Sequence, residues 1–172
     1  IVADFVGADK EHDVVIFGKN TSEAINKLAH RLPLGKDNVV LTTVMEHHSN
    51  DLPWRAQAQV EHLELNGNGD LERELLESRL RALQGRVKLV AVTGASNVSG
   101  YAPPVYEMAA LAHQYGAMIL VDCAQLAPHR AVHMGKVGSP RRLDFVAISG
   151  HKMYAPYGCG ALVGPRELFR QG

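Results

Sequence analysis

An aspartate and a lysine each follow one of the most apolar runs in the sequence. Asp122 follows Ala117-Met-Ile-Leu-Val121, and Lys152 follows Phe145-Val-Ala-Ile-Ser-Gly-His151. A carboxylate at the edge of a core is costly unless a cation pairs with it. A lysine in a closed pocket beside cationic or apolar groups has a lowered pKa and acts as an amine nucleophile. One reading of the two residues is an ordinary Asp–Lys ion pair at a sheet edge. The other is an amine that forms a Schiff base and a carboxylate that holds a pyridinium nitrogen, the combination that pyridoxal 5'-phosphate (PLP) requires.

Further polar clusters share the same placement. Asn20-Thr-Ser22, Glu46-His-His-Ser-Asn50, Ser96-Asn97, Asp122-Cys-Ala-Gln125 and Ser149-Gly-His-Lys152 each follow a predicted strand. Ligands of open α/β sheets bind beyond the carboxyl ends of the strands, so these clusters describe one assembled site. Gly18-Lys-Asn-Thr-Ser22 lies between a strand and a helix, where free N–H groups, hydroxyls and the positive helix end converge on an anion. Plain N-capping by Thr21 or Ser22 is the alternative, and the two uses can coexist. His47 either lays its imidazole on an aromatic ring or is a solvated loop histidine. His12, His30, His62, His113, His129 and His133 have no motif context and read as surface or structural. Neither a Gly-x-Gly-x-x-Gly after the first strand nor a Gly-x-x-x-x-Gly-Lys-[Ser/Thr] occurs.

The elements that must position these residues alternate. Short β-branched or apolar runs at Asp13–Phe17, Val39–Val44, Val60–Leu65, Val87–Thr93, Ala117–Val121, Asp144–Ser149 and Ala161–Gly164 predict strands. Between them, Ala24, Ile25, Leu28, Ala29 and Leu32 recur at helical spacing until Pro33. A short helix is expected around Pro53–Ala58. Asp70 is placed to cap an amphipathic helix carrying Leu71, Leu75, Leu76, Leu80 and Leu83, and Pro103-Pro104 open another that Gly116 ends. The fold class is therefore α/β, a three-layer sandwich with a mostly parallel central sheet.

Composition narrows the function. The 172 residues suit one domain and carry 18 Lys+Arg against 18 Asp+Glu, a formal net charge of zero. That balance argues against a nucleic-acid partner, and no apolar run approaches the length of a membrane span. Cys123 and Cys159 have no finger-spaced companions, which argues against a zinc site and a disulfide framework. With no signal-peptide pattern, the expected location is the cytoplasm or an organelle matrix. The chain opens on Ile1 rather than Met and reads as a piece of a longer protein.

Five segments together resemble a known family. Ser149-Gly-His-Lys-Met-Tyr-Ala-Pro-Tyr-Gly-Cys-Gly160 is similar to the PLP-lysine segment of the class V aminotransferases, most closely their cysteine desulfurase and selenocysteine lyase branch. Val121-Asp-Cys-Ala-Gln125, Asn20-Thr-Ser-Glu-Ala-Ile-Asn26, Met45-Glu-His-His-Ser-Asn50 with Pro53-Trp54, and Ala95-Ser-Asn-Val-Ser-Gly100 resemble its other motifs in order. The resemblance implies PLP as cofactor, fold type I, and residues 1–172 as the large cofactor-binding domain, with the small C-terminal domain outside the chain. By the same resemblance, Lys152 bonds the cofactor and shuttles the substrate α-proton, Asp122 keeps the pyridine nitrogen protonated, and His47 stacks on the ring. Gln125 contacts the phenolic oxygen, and Asn97 lies near it or near the substrate. Ser22 with the Thr21 backbone, Ser149 and His151 hold the phosphate.

The expected activity of the whole protein is removal of sulfur or selenium from cysteine or selenocysteine, and the isolated piece is expected to be inactive. Transamination by a class V relative and a non-catalytic scaffold are the alternatives. The family pattern also implies an amino-acid substrate, a homodimer and a sulfur-acceptor protein as partners. Asn20 departs from it by standing where the family has Gly, and Met134–Arg142 reads as a loop insertion. The family's substrate-binding arginine and nucleophilic cysteine fall outside these residues, and neither Cys123 nor Cys159 is assigned that role.

Overall fold

Uninterrupted apolar runs become strands buried on both faces, because alternate side chains need a core on either side. The computed structural model describes residues 1–170. Its strands are β1 (Asp13–Gly18), β2 (Val39–Thr43), β3 (Gln59–Leu63), β4 (Val87–Thr93), β5 (Met118–Asp122), β6 (Phe145–Ser149) and β7 (Gly160–Pro165). They form one sheet in the order β1-β7-β6-β5-β4-β2-β3. The run from β3 to β6 is parallel, while β7 is antiparallel to both β6 and β1. The mostly parallel sheet thus carries an antiparallel edge.

The helices are α1 (Val2–Phe5), α2 (Thr21–Arg31), α3 (Leu52–Arg55), α4 (Arg73–Ala82), α5 (Val105–Gln114) and α6 (Arg166–Arg170). Ala24, Ile25, Leu28 and Ala29 of α2 pack with Val40, Leu89, Ala91, Leu120, Phe145, Ala147 and Leu162 on one face of the sheet. The intervening residues Leu41, Val90, Val92, Ile119, Val121, Val146 and Val163 point to the other face, against Leu76 and Leu80 of α4 and Met108, Leu111 and Ala112 of α5. Helix, sheet and helix give the three layers. Among the described residues no helix is long and apolar enough to cross a membrane.

Helix starts depart from the expected caps. Asn20, not Thr21 or Ser22, caps α2: its side-chain oxygen accepts from Glu23 N at 2.9 Å. Its φ of −172° is extended backbone that any residue adopts, so this position makes no demand for Gly. Thr21 is inside the first turn, and its hydroxyl is committed to Ser149. Asp70 does not cap α4, which begins at Arg73 with no side-chain cap. Asp70 is instead held in the preceding turn, where its N–H donates to Asn66 Oδ1 and its carbonyl accepts from Asn66 N.

The segment between β5 and β6, which contains Met134–Arg142, has no helix or strand yet is firmly anchored. Met134 N donates to Val6 O at 2.8 Å. Buried Arg142 donates to both oxygens of buried Asp13 at 2.6 Å, tying the loop to the outer strand β1.

Candidate active site

The carboxyl ends of β2, β4, β5 and β6 open on one cavity of about 250 Å³. Thr21, Ser22, His47, Asn97, Asp122, Gln125, Ser149, His151 and Lys152 all line it, so every site residue expected from the sequence is brought together. Asn20, Ser49, Thr93, Ala95, Ala124 and Tyr157 complete the wall. Asn20 and Ser49 lay inside segments the sequence had marked. Ala124 lies inside the marked segment Asp122–Gln125, while Thr93 carries no chemical signal beyond ending a strand.

Asp122 is the last residue of β5, in register with Thr93 of β4 and Ala147 of β6. That central position buries its carboxylate, which accepts from Ala124 N at 2.9 Å. Burial pushes its pKa up, against the pull of the Ala124 N–H and of the Lys152 charge. Among the described residues no basic nitrogen lies within the 4.0 Å of an ion pair, so the ordinary Asp122–Lys152 pair does not form. Lys152 sits in the 3-10 turn Gly150–Met153 just beyond β6 and is exposed at the cavity wall rather than enclosed. That turn ends on Tyr154 in the left-handed region, φ 62°, a strained setting for a non-glycine residue and a recurrent feature beside functional groups.

At the other end of the cavity, α2 and the turn after β6 meet. Thr21 N donates to Ser149 Oγ at 3.0 Å, and the two hydroxyls are 2.8 Å apart. The approach depends on Gly160: a Cβ there would lie 2.6 Å from Asn20 Cα and 2.7 Å from its carbonyl carbon. His151 lines the same wall, and its Nδ1 is buried with no hydrogen-bond partner. Buried polar atoms are almost always satisfied, so this nitrogen marks a place for a ligand atom. The positive end of α2, three hydroxyls and an unpartnered imidazole nitrogen together fit an anion such as a phosphate.

His47 stands between these regions. Ser49 N donates to its Nδ1 at 3.1 Å, and Ser49 Oγ lies 2.9 Å away. A backbone N–H can only donate, so Nδ1 is the acceptor and the neutral ring carries its proton on Nε2. Ser49 Oγ also meets Ser22 Oγ at 2.5 Å, linking the histidine to the start of α2. Next to His47 in sequence, the Glu46 carboxyl accepts from Thr43 Oγ1 and from Asn50 Nδ2, each at 2.7 Å. Asn50 in turn accepts from the indole of fully buried Trp54, at 3.1 Å to its carbonyl and 3.3 Å to Oδ1.

A largely parallel sheet with its polar groups gathered beyond the strand ends defines an α/β protein with a ligand site of the switch-point kind. Comparison makes the assignment specific: the Aminotransferase class-V family matches residues 1–171, and the chain belongs to that family. A cysteine desulfurase of Enterobacter sp. (strain 638) is 41% identical over 98% of this chain and 42% of its own. The cysteine desulfurase of Haloferax volcanii is 36% identical over 97% of this chain and 39% of its own. The solved apo cysteine desulfurase of Thermococcus onnurineus NA1 superposes with a TM-score of 0.82 at 36% identity, covering 98% of this chain and 42% of that one. The chain spans about two fifths of the length of the relatives it matches. The fold is that of PLP-dependent fold type I, as the sequence motifs implied.

Proposed function

We propose that residues 1–172 form the cofactor-binding large domain of a PLP-dependent enzyme that removes sulfur or selenium from cysteine or selenocysteine. The cysteine desulfurases among its relatives support the reaction class. One observation carries the cofactor: Asp122, a buried carboxylate with no cationic partner among the described residues, shares a cavity with an exposed lysine and with an imidazole nitrogen that has no partner among them. Each requirement of PLP meets a group suited to it.

PLP supplies an aldehyde that a lysine amine condenses with and a protonated ring that accepts the electrons of a breaking Cα–H bond. Lys152 is the amine that holds the cofactor and then carries the α-proton. Asp122 holds the proton on the ring nitrogen, and the positive charge it gains there offsets the burial of its own. His47 offers an aromatic face, Gln125 a donor for the phenolic oxygen and Asn97 a polar contact beside it. Thr21, Ser22, Ser149 and His151 hold the phosphate at the α2 end. An amino-acid substrate, a second copy of the chain and a sulfur-accepting protein are the partners this reading requires.

The covalent anchor tests it. Borohydride reduction of the PLP-loaded full-length protein is expected to fix the cofactor on Lys152, as mapped by mass spectrometry, and Lys152→Ala is expected to abolish the adduct while the protein stays folded. A reduced adduct on another lysine, such as Lys136, overturns the assignment.

A further inference from the structure

We propose that Glu46 is a positioning residue for His47, locking the 43–50 turn so that the imidazole stays on the wall of the cavity that Asp122 also lines. The proposal rests on the PLP reading for its purpose and on hydrogen-bond geometry for its substance. Glu46 follows the end of β2 and precedes the histidine directly. Its two oxygens take one donor from each side of the turn, Thr43 Oγ1 at 2.7 Å from the strand and Asn50 Nδ2 at 2.7 Å from the far end. His47 and Ser49 sit within the span so closed, and their own contact sets the ring's tautomer.

The clamp has a fixed side and an adaptable side. The Trp54 indole N–H can only donate, so it holds the Asn50 amide with its oxygen toward the core and its NH2 toward Glu46. The Thr43 hydroxyl both donates and accepts. It donates to an ionised Glu46 and, by rotating, accepts from a protonated one, so the turn survives either state. The groups facing the carboxyl are Thr43 from β2, Asn50 from the turn, the Thr93 backbone from β4 and the Asp122 carboxylate from β5. Burial is the largest influence and pushes the Glu46 pKa up to about 7, with the Asp122 charge adding to it. A glutamine in this position reproduces the protonated acid, because its NH2 donates to Thr43 Oγ1 and its oxygen accepts from Asn50.

The test compares wild type with Glu46→Ala and Glu46→Gln in the full-length protein. In the cofactor-free state, Glu46→Ala is expected to move the His47 imidazole 15N resonances away from the Nε2–H pattern, and Glu46→Gln to keep them. PLP affinity is expected to fall about fivefold in Glu46→Ala, the scale of one lost aromatic contact, and to stay near wild type in Glu46→Gln. A raised carboxyl pKa gives stability that is full below its ordinary value of 4.5 and is lost as pH rises through about 7. Glu46→Gln should therefore melt like wild type at about pH 4 and above it at about pH 8.

Should Glu46→Ala fail to fold, Glu46→Asp, which shortens the arm by one methylene, is expected to displace the same resonances. Unchanged His47 resonances in the alanine or aspartate variant overturn the proposal, as does a glutamine variant as displaced as the alanine one. A wild type that binds no PLP defeats the PLP reading instead, while the His47 resonances still decide the role of Glu46.

Discussion

Replacing Asp122 by Asn separates chemistry from packing within a single side chain. The amide keeps the size and still accepts from Ala124 N, but it removes the charge. Because burial raises the Asp122 pKa, its ionised form costs the folded state stability that is lost as pH rises through the folded value. The cofactor-free Asp122→Asn variant should therefore melt like wild type below the ordinary carboxyl value of 3.8 and gain on it as pH rises through the raised value. PLP should still attach to Lys152. Exchange of the substrate α-proton with solvent deuterium should slow by about two orders of magnitude or more, as a preorganised charge is lost. Early melting with normal exchange would instead identify a structural aspartate. Functional residues that are unfavourable until their ligand arrives are the expected trade of stability for activity.

The end of the cavity suited to an anion is made by elements rather than by any one residue. The start of α2 approaches β7 closely enough that only Gly160 fits against the Asn20 backbone. Gly160→Ala should displace that turn, since the obstructing atoms are main chain and cannot rotate away. Overpacking of this kind costs about 1–3 kcal/mol, and it should appear as weaker binding of both PLP and inorganic phosphate. Gly164, four residues along the same strand, provides the control. A Cβ there meets the Phe145 ring in the core, so Gly164→Ala should lower the melting temperature without a selective loss of phosphate affinity. Equal phosphate affinity in the Gly160→Ala variant and wild type would remove β7 from the site.

Across the whole molecule, the pair Asp13–Arg142 joins the outer strand to the long connection between β5 and β6. Both side chains are buried, and the guanidinium meets both carboxylate oxygens. Burial alone would raise the Asp13 pKa, but the hydrogen bonds from Arg142 and His12 outweigh it and hold the carboxyl below its ordinary value. The linked stability is present above about pH 4 and is lost as pH falls through the lowered value. Arg142→Met strands a buried carboxylate and should cost about 3–5 kcal/mol in denaturant unfolding at neutral pH. The double variant Asp13→Leu with Arg142→Met should recover most of that loss. A single variant as stable as wild type would mean that the pair contributes nothing to the closure of the fold.

The alternation of strands and helices, the mostly parallel sheet and the nine expected residues that line one cavity were legible in the sequence. Each is written in local pattern: apolar runs for strands buried twice, a helical recurrence for α2 and α5, and polar clusters directly after strand ends. What tertiary structure decided depends on contacts between distant positions. The antiparallel edge of β1 and β7, the clasp of Thr21 by Ser149 and the pairing of Asp13 with Arg142 join residues more than a hundred positions apart. Capping went to Asn20 because the Thr21 hydroxyl had a partner across the sheet, and Lys152 lies exposed because its turn projects beyond β6. Glu46 shows the division within one motif. Its sequence neighbours mark a functional loop, but only the folded chain brings Thr43, Asn50 and Asp122 around its carboxyl. Periodicity is a property of neighbours along the chain, whereas burial, pairing and charge are set by neighbours in space.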